Sequence, residues 1–328
     1  MKLNRPDYQH IRGFNYIPSY AMVLNDVMDN FDENVWDREF AYAEKLCANS
    51  LRVWVSMFSF MREPILFLRR FETILSLAEK HSVSIMPVLF NRWVDRNYPF
   101  GSTNLVEMLN PLNESHKKYI FDFLSAFHDD KRILMWDLCN EPYCYYNAPS
   151  NHVPELPEII NAIETRFWTD ALALAREAGP SQPLTIGFSG PVGNTPECMH
   201  RAVDVMSFHP YEGWDGAGYA QFTDEFIAAA NRFDKPLICT ETCQGSLDDR
   251  VRAKCIESCV SVLSDRQTGW YVFQLMGGEM VSARPDRTDE NCLPGDRGYF
   301  PFVNRDGTVR IGHEIVRNFN KQHIIRLF

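Results

Sequence analysis

At 328 residues, with 45% hydrophobic side chains, the chain can bury a large core, and α/β barrels reach this length as one unit. Its formal net charge of −10 weighs against nucleic acid or an anionic membrane as the main partner, since both require a basic surface. Nine cysteines, an odd number without a CxxC pair, point to reduced and mostly buried thiols rather than a disulfide framework. The opening MKLNRPDYQHIRGFNYIP carries no apolar h-region, and no apolar run is long enough to span a bilayer, which predicts a cytoplasmic protein.

Short β-rich runs alternate with longer amphipathic stretches along the whole chain. HIRGFNYIP (10–18) precedes a helical pattern at 33–48, and SLRVWV (50–55) precedes one at 65–81. SIMPVLF (84–90) is followed by 113–129, and ILMWDLCNE (133–141) by 157–178. LTIGFS (184–189) leads to a short helix near 195–202, and VDVMSFHP (203–210) to 220–233. PLICTET (236–242) and GWYVFQL (269–275) complete the series with 248–264 and 310–323. Most of the strand runs are continuously apolar, as parallel strands covered on both faces are. In the helical pattern at 113–129, Ile120, Phe123, Leu124 and Phe127 share one face, with Lys117, Lys118, Asp122 and Ser125 off it, and Phe121 also off the stripe.

Eight βα units with no repeat, low-complexity tract or Pro/Gly-rich linker predict a single (β/α)8 TIM barrel over residues 1–328. An open doubly wound sheet is the rival, but RGFNYIPSYA stands after the first strand where a GxGxxG turn would be expected. The segments 92–104, 142–157 and 277–301 are long and rich in aromatic and polar residues. They follow strand ends, the face on which barrels carry function.

Glu141 closes the fourth strand and Glu241 the seventh. A carboxylate at a buried strand end is costly unless it has a partner or a task. Glycoside hydrolysis needs such a pair, one acid to protonate the leaving oxygen and one carboxylate to attack or to activate water. For either glutamate alone, an ion pair at the barrel rim is an equal reading. The string WDLCNEP, with Asn140-Glu141-Pro142, resembles the acid/base motif of clan A glycoside hydrolases, and ICTETC with Glu241 resembles their nucleophile motif. Arg52 in LRVWV and His209 with Tyr211 in SFHPYEG extend the likeness to glycoside hydrolase family 5, which includes cellulases, mannanases and β-mannosidases.

That resemblance implies a retaining O-glycosidase acting on a β-linked sugar, with carbohydrate as its partner. Glu141 would be its acid/base and Glu241 its nucleophile. It assigns Asn140 to the sugar 2-hydroxyl, sets His209 beside the acid/base, and makes Arg52 and Tyr211 donors to the nucleophile. Three plainer readings stand beside these: Arg52 paired with Asp137, His209 as a satisfied structural histidine, and Asn140 as a turn cap. Two further classes remain, a catalytically silent sugar-binding barrel and a metal-dependent barrel hydrolase. No HxH, HExxH or Cys/His cluster supports a metal, and no cofactor is predicted.

Sugar faces pack on aromatic rings, which makes Tyr16, Trp54, Trp93, Tyr145, Trp214, Trp270 and Phe273 candidates, most of them equally suited to the core. Tyr16 and Trp93 stand at strand ends. Family members place a tryptophan near the end of strand eight, whereas GWYVFQLM has Trp270 at the strand start and Phe273 and Gln274 nearer its end. Asn91, Arg92 and Trp93 stand where strand three offers a polar residue. Alternation from Glu141 and Glu241 places Cys139 and Cys239 inside the barrel, beneath the site. Exo action on an oligosaccharide is the expected mode, with endo action on a glycan as the alternative.

Overall fold

A computed structural model describes residues 1–91, 112–143, 157–211, 213–285 and 299–321. All eight predicted strands are present, and all but β3 are shorter than their apolar runs: β1 Arg12–Tyr16, β2 Ser50–Trp54, β3 Ser84–Asn91, β4 Trp136–Asn140, β5 Leu184–Gly187, β6 Met206–Phe208, β7 Leu237–Cys239 and β8 Gly269–Val272. They form one parallel sheet in the order β5-β4-β3-β2-β1-β8-β7-β6. The remaining seam is bridged by the amide of Asp204, which donates to Leu184 O at 2.9 Å, and by the parallel bridge Ser189–His209. The result is a nearly closed (β/α)8 barrel. Two of the long segments expected to line its mouth lie largely outside the described residues, as does much of the third.

The helices fall where the 3.6-residue period predicts them. Those matching the expectation are α2 Glu33–Lys45, α4 Pro64–Lys80, α5 Glu114–Ala126, α6 Pro157–Glu177, α7 Glu197–Ala202, α8 Gly218–Phe233, α9 Asp249–Asp265 and α10 Ile315–Lys321. Two six-residue helices, α1 Leu24–Asp29 and α3 Met57–Arg62, were not anticipated, because one and a half turns leave no readable period. Starts are set by side-chain caps: Asp32, Asn113 and Asp248 accept from Asn34 N, His116 N and Arg250 N respectively. On α5, Ile120, Phe123 and Leu124 are fully buried, whereas Phe121 is 41% exposed. Among the described residues no helix is long and apolar enough to cross a membrane. No disulfide joins the described cysteines.

The core has two parts. A large outer cluster fills the space between barrel and helices, and a second, separate cluster comprises Ile11, Met86, Met135, Val205, Ile238 and Tyr271. Those six lie on the strands or at the position just before them, in the inward-facing phase of the alternation, so they plug the barrel interior. Above them the inward positions turn polar: Ser50, Asn15, Arg52, Asp137, Ser207 and Thr240 are buried there. That change carries the barrel axis from a dry plug to a hydrogen-bonded mouth.

Strand parity corrects two aromatic expectations. Asn15 faces inward, so Tyr16 faces outward, where its ring lies 5.0 Å from Trp36 and 5.3 Å from Phe40 and its hydroxyl donates to Glu39 Oε2 at 2.9 Å. Tyr271 belongs to the inner plug, so Trp270 faces outward, fully buried, with the Arg12 guanidinium 3.6 Å from its ring centre. Neither ring reaches the barrel mouth. The cysteine expectation fails for a related reason. Inner positions on β7 are Ile238 and Thr240, so Cys239 belongs to the outer cluster, as does Cys139. Alternation breaks between these cysteines and the glutamates: β4 has a register shift between Asp137 and Asn140, and β7 ends at Cys239.

Candidate active site

Arg52 stands at the centre of the mouth. It is fully buried, and its fork is fully engaged. Nε and Nη2 donate to Asp137 Oδ2 at 2.9 and 2.7 Å, Nη2 also to Asn140 Oδ1 at 2.9 Å, and Nη1 to Asn15 Oδ1 at 2.8 Å and Glu241 Oε1 at 2.5 Å. Both sequence readings of Arg52 therefore hold at once, since it pairs with Asp137 and reaches Glu241. A lysine could not do this, because the planar guanidinium has donors fixed on several sides. Asp137 Oδ1 in turn accepts from the amides of Gly187 and Cys139 at 3.1 and 3.2 Å.

Glu241 lies just past β7 and is 4% exposed. Its Oε1 accepts from Arg52, and its Oε2 accepts from the Tyr211 hydroxyl at 2.7 Å. Burial raises its pKa; His209 and Arg52 pull it down, as does the Tyr211 hydrogen bond. Glu141 lies just past β4, with φ 52, in the left-handed region that side chains rarely adopt. Its amide donates to Gly187 O at 2.7 Å, which holds this kinked residue against β5. His209 Nδ1 sits 2.7 Å from Glu141 Oε1 and 3.8 Å from Glu241 Oε2, and its Nε2 sits 2.9 Å from Thr240 Oγ1. Burial pushes Glu141 up to about 8 and His209 down to about 4.

These directions share one cause. Among the described residues, Asp137, Glu141 and Glu241 are three buried carboxyls grouped around the Arg52 guanidinium, with a neutral imidazole between two of them. Water cannot compensate the excess negative charge there, so one carboxyl must hold a proton. Arg52 and Tyr211 both donate to Glu241, whereas neither bonds Glu141. The proton therefore belongs on Glu141.

The remaining expected residues separate clearly. Asn91 ends β3, and its Oδ1 accepts from Asn140 Nδ2 at 3.1 Å, which orients the amide whose oxygen faces Arg52. Phe273 follows β8 and belongs to the mouth. Its ring meets Phe300 edge-on at 5.1 Å, Phe300 lies 6.2 Å from Tyr211, and the Phe273–Gln274 peptide is cis. Gln274 is committed internally, donating to Met276 O and accepting from Ser282. Trp54 faces Arg52, with 5.0 Å between ring and guanidinium, and Trp214 Nε1 donates to Gln244 Oε1. Arg92, Trp93 and Tyr145 lie outside the described residues.

Sequence reasoning missed Asn15, Thr240 and Gly187. Asn15 and Thr240 carried a faint signal as polar residues in apolar runs. Gly187 carried none, and its role is steric: a Cβ there would meet Arg52 Nη2 at 2.9 Å, His209 Nε2 at 3.1 Å and Asp137 Oδ2 at 3.2 Å. Every one of these atoms belongs to the network that holds the glutamates. Gly187→Ala is expected to cost about 1–3 kcal/mol of stability by overpacking. It should lower kcat/KM by about 10–100-fold through displaced groups. Thermal melts and steady-state kinetics check both, and unchanged values would show that the network has slack.

Ligand atoms of Glu141, His209 and Glu241 lie within 4.8 Å of one another. They are already bonded to each other, Arg52, Tyr211 and Thr240, and the guanidinium occupies the place of a countercharge. A cation would have to displace it, so the donor set suits proton chemistry better than metal binding.

The barrel thus sets Glu141 just past β4 and Glu241 just past β7, joined by a buried Arg-Asn-His-Tyr network. The description "Cellulase (glycosyl hydrolase family 5)" matches residues 37–278, most of the chain, and the chain belongs to that family. A probable mannan endo-1,4-β-mannosidase from Aspergillus terreus is 22% identical over 157 residues, a stretch covering 44% of this chain and 40% of that protein. Among solved structures, an exo-β-1,4-mannosidase from Opitutaceae bacterium strain TAV5 superposes with TM-score 0.70 at 16% identity, covering 96% of this chain and 60% of the other. An endo-1,4-β-mannanase from Rhizomucor miehei gives 0.70 at 17% identity, covering 95% and 94%. At these identities the structural likeness speaks for the fold alone.

Proposed function

We propose that this chain is a retaining glycoside hydrolase that cleaves a β-linked sugar by double displacement. The observation that carries the reading is the pairing of Glu141 and Glu241, with oxygens within 4.8 Å and unequal partners. Retaining enzymes hold their carboxyls about 5–5.5 Å apart, whereas inverting ones leave about 6.5–9.5 Å for a water. Glu241, supplied with two donors, is the nucleophile. Glu141, protonated by its burial, delivers a proton to the leaving oxygen. Once Glu241 is consumed in the glycosyl ester its negative charge is gone, the proton affinity of Glu141 falls, and Glu141 serves as base toward water. Asn140, oriented by Arg52 and Asn91, is the group for the 2-hydroxyl, and Phe273, just past β8, is the described ring we place as the sugar platform.

The substrate class we propose is a β-mannoside, because the similar proteins named above are a mannan endo-1,4-β-mannosidase, an exo-β-1,4-mannosidase and an endo-1,4-β-mannanase. Exo action on a short oligosaccharide is the preferred mode, since long segments follow β3, β4 and β8 and can wall a cleft into a pocket. Aryl β-mannosides, β-glucosides and mannooligosaccharides, assayed beside mannan viscosity, test both points. Release of mannose without a fall in viscosity is expected, and a rapid fall in viscosity would reverse the mode. No turnover of any glycoside would favour the silent sugar-binding barrel. In the same assay kcat/KM should fall as pH rises through about 8, where Glu141 loses its proton. It should fall again at low pH, where Glu241 gains one.

A further inference from the structure

Thr240 precedes Glu241, lies fully buried on the inner side of the barrel, and uses both its hydroxyl and its carbonyl within the site. Its carbonyl accepts from Asn15 Nδ2 at 2.9 Å, and Asn15 Oδ1 accepts from the Arg52 nitrogen that also donates to Glu241. Its hydroxyl has one polar neighbour among the described residues, His209 Nε2 at 2.9 Å. A hydroxyl carries one proton, and a buried donor without an acceptor is costly. The only arrangement that satisfies it directs that proton at Nε2, which must then be the unprotonated nitrogen of the ring.

We propose that Thr240 is a positioning residue that locks His209 in its Nδ1–H tautomer. Resting on the acid/base role of Glu141, this explains how one imidazole serves both halves of the reaction. Nδ1–H donates to Glu141 Oε1 at 2.7 Å, so the acid proton sits on the other carboxyl oxygen and is not spent on the histidine. After that proton goes to the leaving group, the same N–H supports the new carboxylate, and no proton has to move within the ring. In the opposite tautomer Nε2–H would point at Thr240 and strand the threonine proton. The Nδ1 lone pair would then accept the Glu141 proton and hold it back from the leaving oxygen. A charged imidazolium is disfavoured by burial; Glu241 and Asp137 favour it, whereas Arg52 opposes it.

Thr240→Val removes the hydroxyl at nearly constant shape and leaves the backbone link to Asn15, and Thr240→Ser retains the hydroxyl. Two measurements are needed. The first is imidazole ¹⁵N NMR, with His209 assigned by the signals lost in His209→Gln. Wild type and Thr240→Ser should show a protonated Nδ1 and an unprotonated Nε2, and Thr240→Val should shift toward the reverse. The second is kcat/KM on two glycosides of one sugar. With an alkyl or sugar leaving group, which needs the acid, Thr240→Val should lose about tenfold or more. With 2,4-dinitrophenolate, which departs unaided, it should stay within about twofold. An unprotonated Nδ1 in the wild type, a tautomer unchanged in Thr240→Val, or equal losses on both glycosides would overturn the proposal. If wild type hydrolyses neither glycoside, the glycosidase reading is at fault, and the NMR arm still decides the tautomer.

Discussion

Glu241→Gly is expected to lower kcat on aryl glycosides by about 10⁴-fold or more, the scale of loss when a nucleophile is removed from a preorganised site. Added azide or formate should restore part of the rate, because the missing side chain leaves room for a small anion beside Arg52 and Tyr211. The product then reports the role. Azide replacing Glu241 attacks the anomeric carbon from the nucleophile's face in one displacement, so a β-glycoside yields the α-glycosyl azide. In Glu141→Ala azide instead meets the glycosyl ester already formed on Glu241, and two displacements yield the β-glycosyl azide. Proton NMR of the purified azides distinguishes them. Swapped anomers would exchange the two assignments, and absence of any azide product with loss of activity would remove double displacement altogether.

The reasoning that reached the two glutamates from sequence is the same that failed for some of their neighbours. A carboxylate ending an apolar run is visible because its burial is costly whichever way the strand faces. The roles of Tyr16 and Trp270 depended on facing alone. In an RGFNY strand the sequence is compatible with either parity, and only closure of the barrel sends Asn15 inward and Tyr16 out. Cys139 and Cys239 were misplaced because alternation was carried through a register shift and past a strand end, where it no longer holds. Gly187 and Thr240 illustrate a different limit. Their contributions are an absent Cβ and one hydroxyl proton, and both acquire meaning only from atoms on β2, β4 and β6 that the fold brings near. Arg52 was legible in type but not in extent. Its double pairing followed from barrel geometry, which sets Asp137 and Glu241 on opposite sides of one guanidinium.

That double pairing makes Arg52 the residue whose loss should be felt most widely. Arg52→Met keeps much of the volume and removes the only positive group bonded to Asp137 and Glu241 among the described residues. Removing one partner of a buried ion pair costs about 3–5 kcal/mol, because the other charge stays behind unpaired. The two carboxyls would answer by taking up protons, with folded-state pKa values driven further above those of the unfolded chain. A group raised in this way contributes stability that is fully present below its unfolded pKa and is lost as pH rises through the folded one. The variant's deficit against wild type should therefore be small near pH 5 and widen toward pH 8, as seen by urea denaturation at both values. Activity should not recover on acidification, since the proton that rescues the fold occupies Glu241, the proposed nucleophile. A deficit independent of pH would mean that Arg52 acts by packing rather than by charge, and that the ionised form of Glu241 is favoured by Tyr211 and His209 instead.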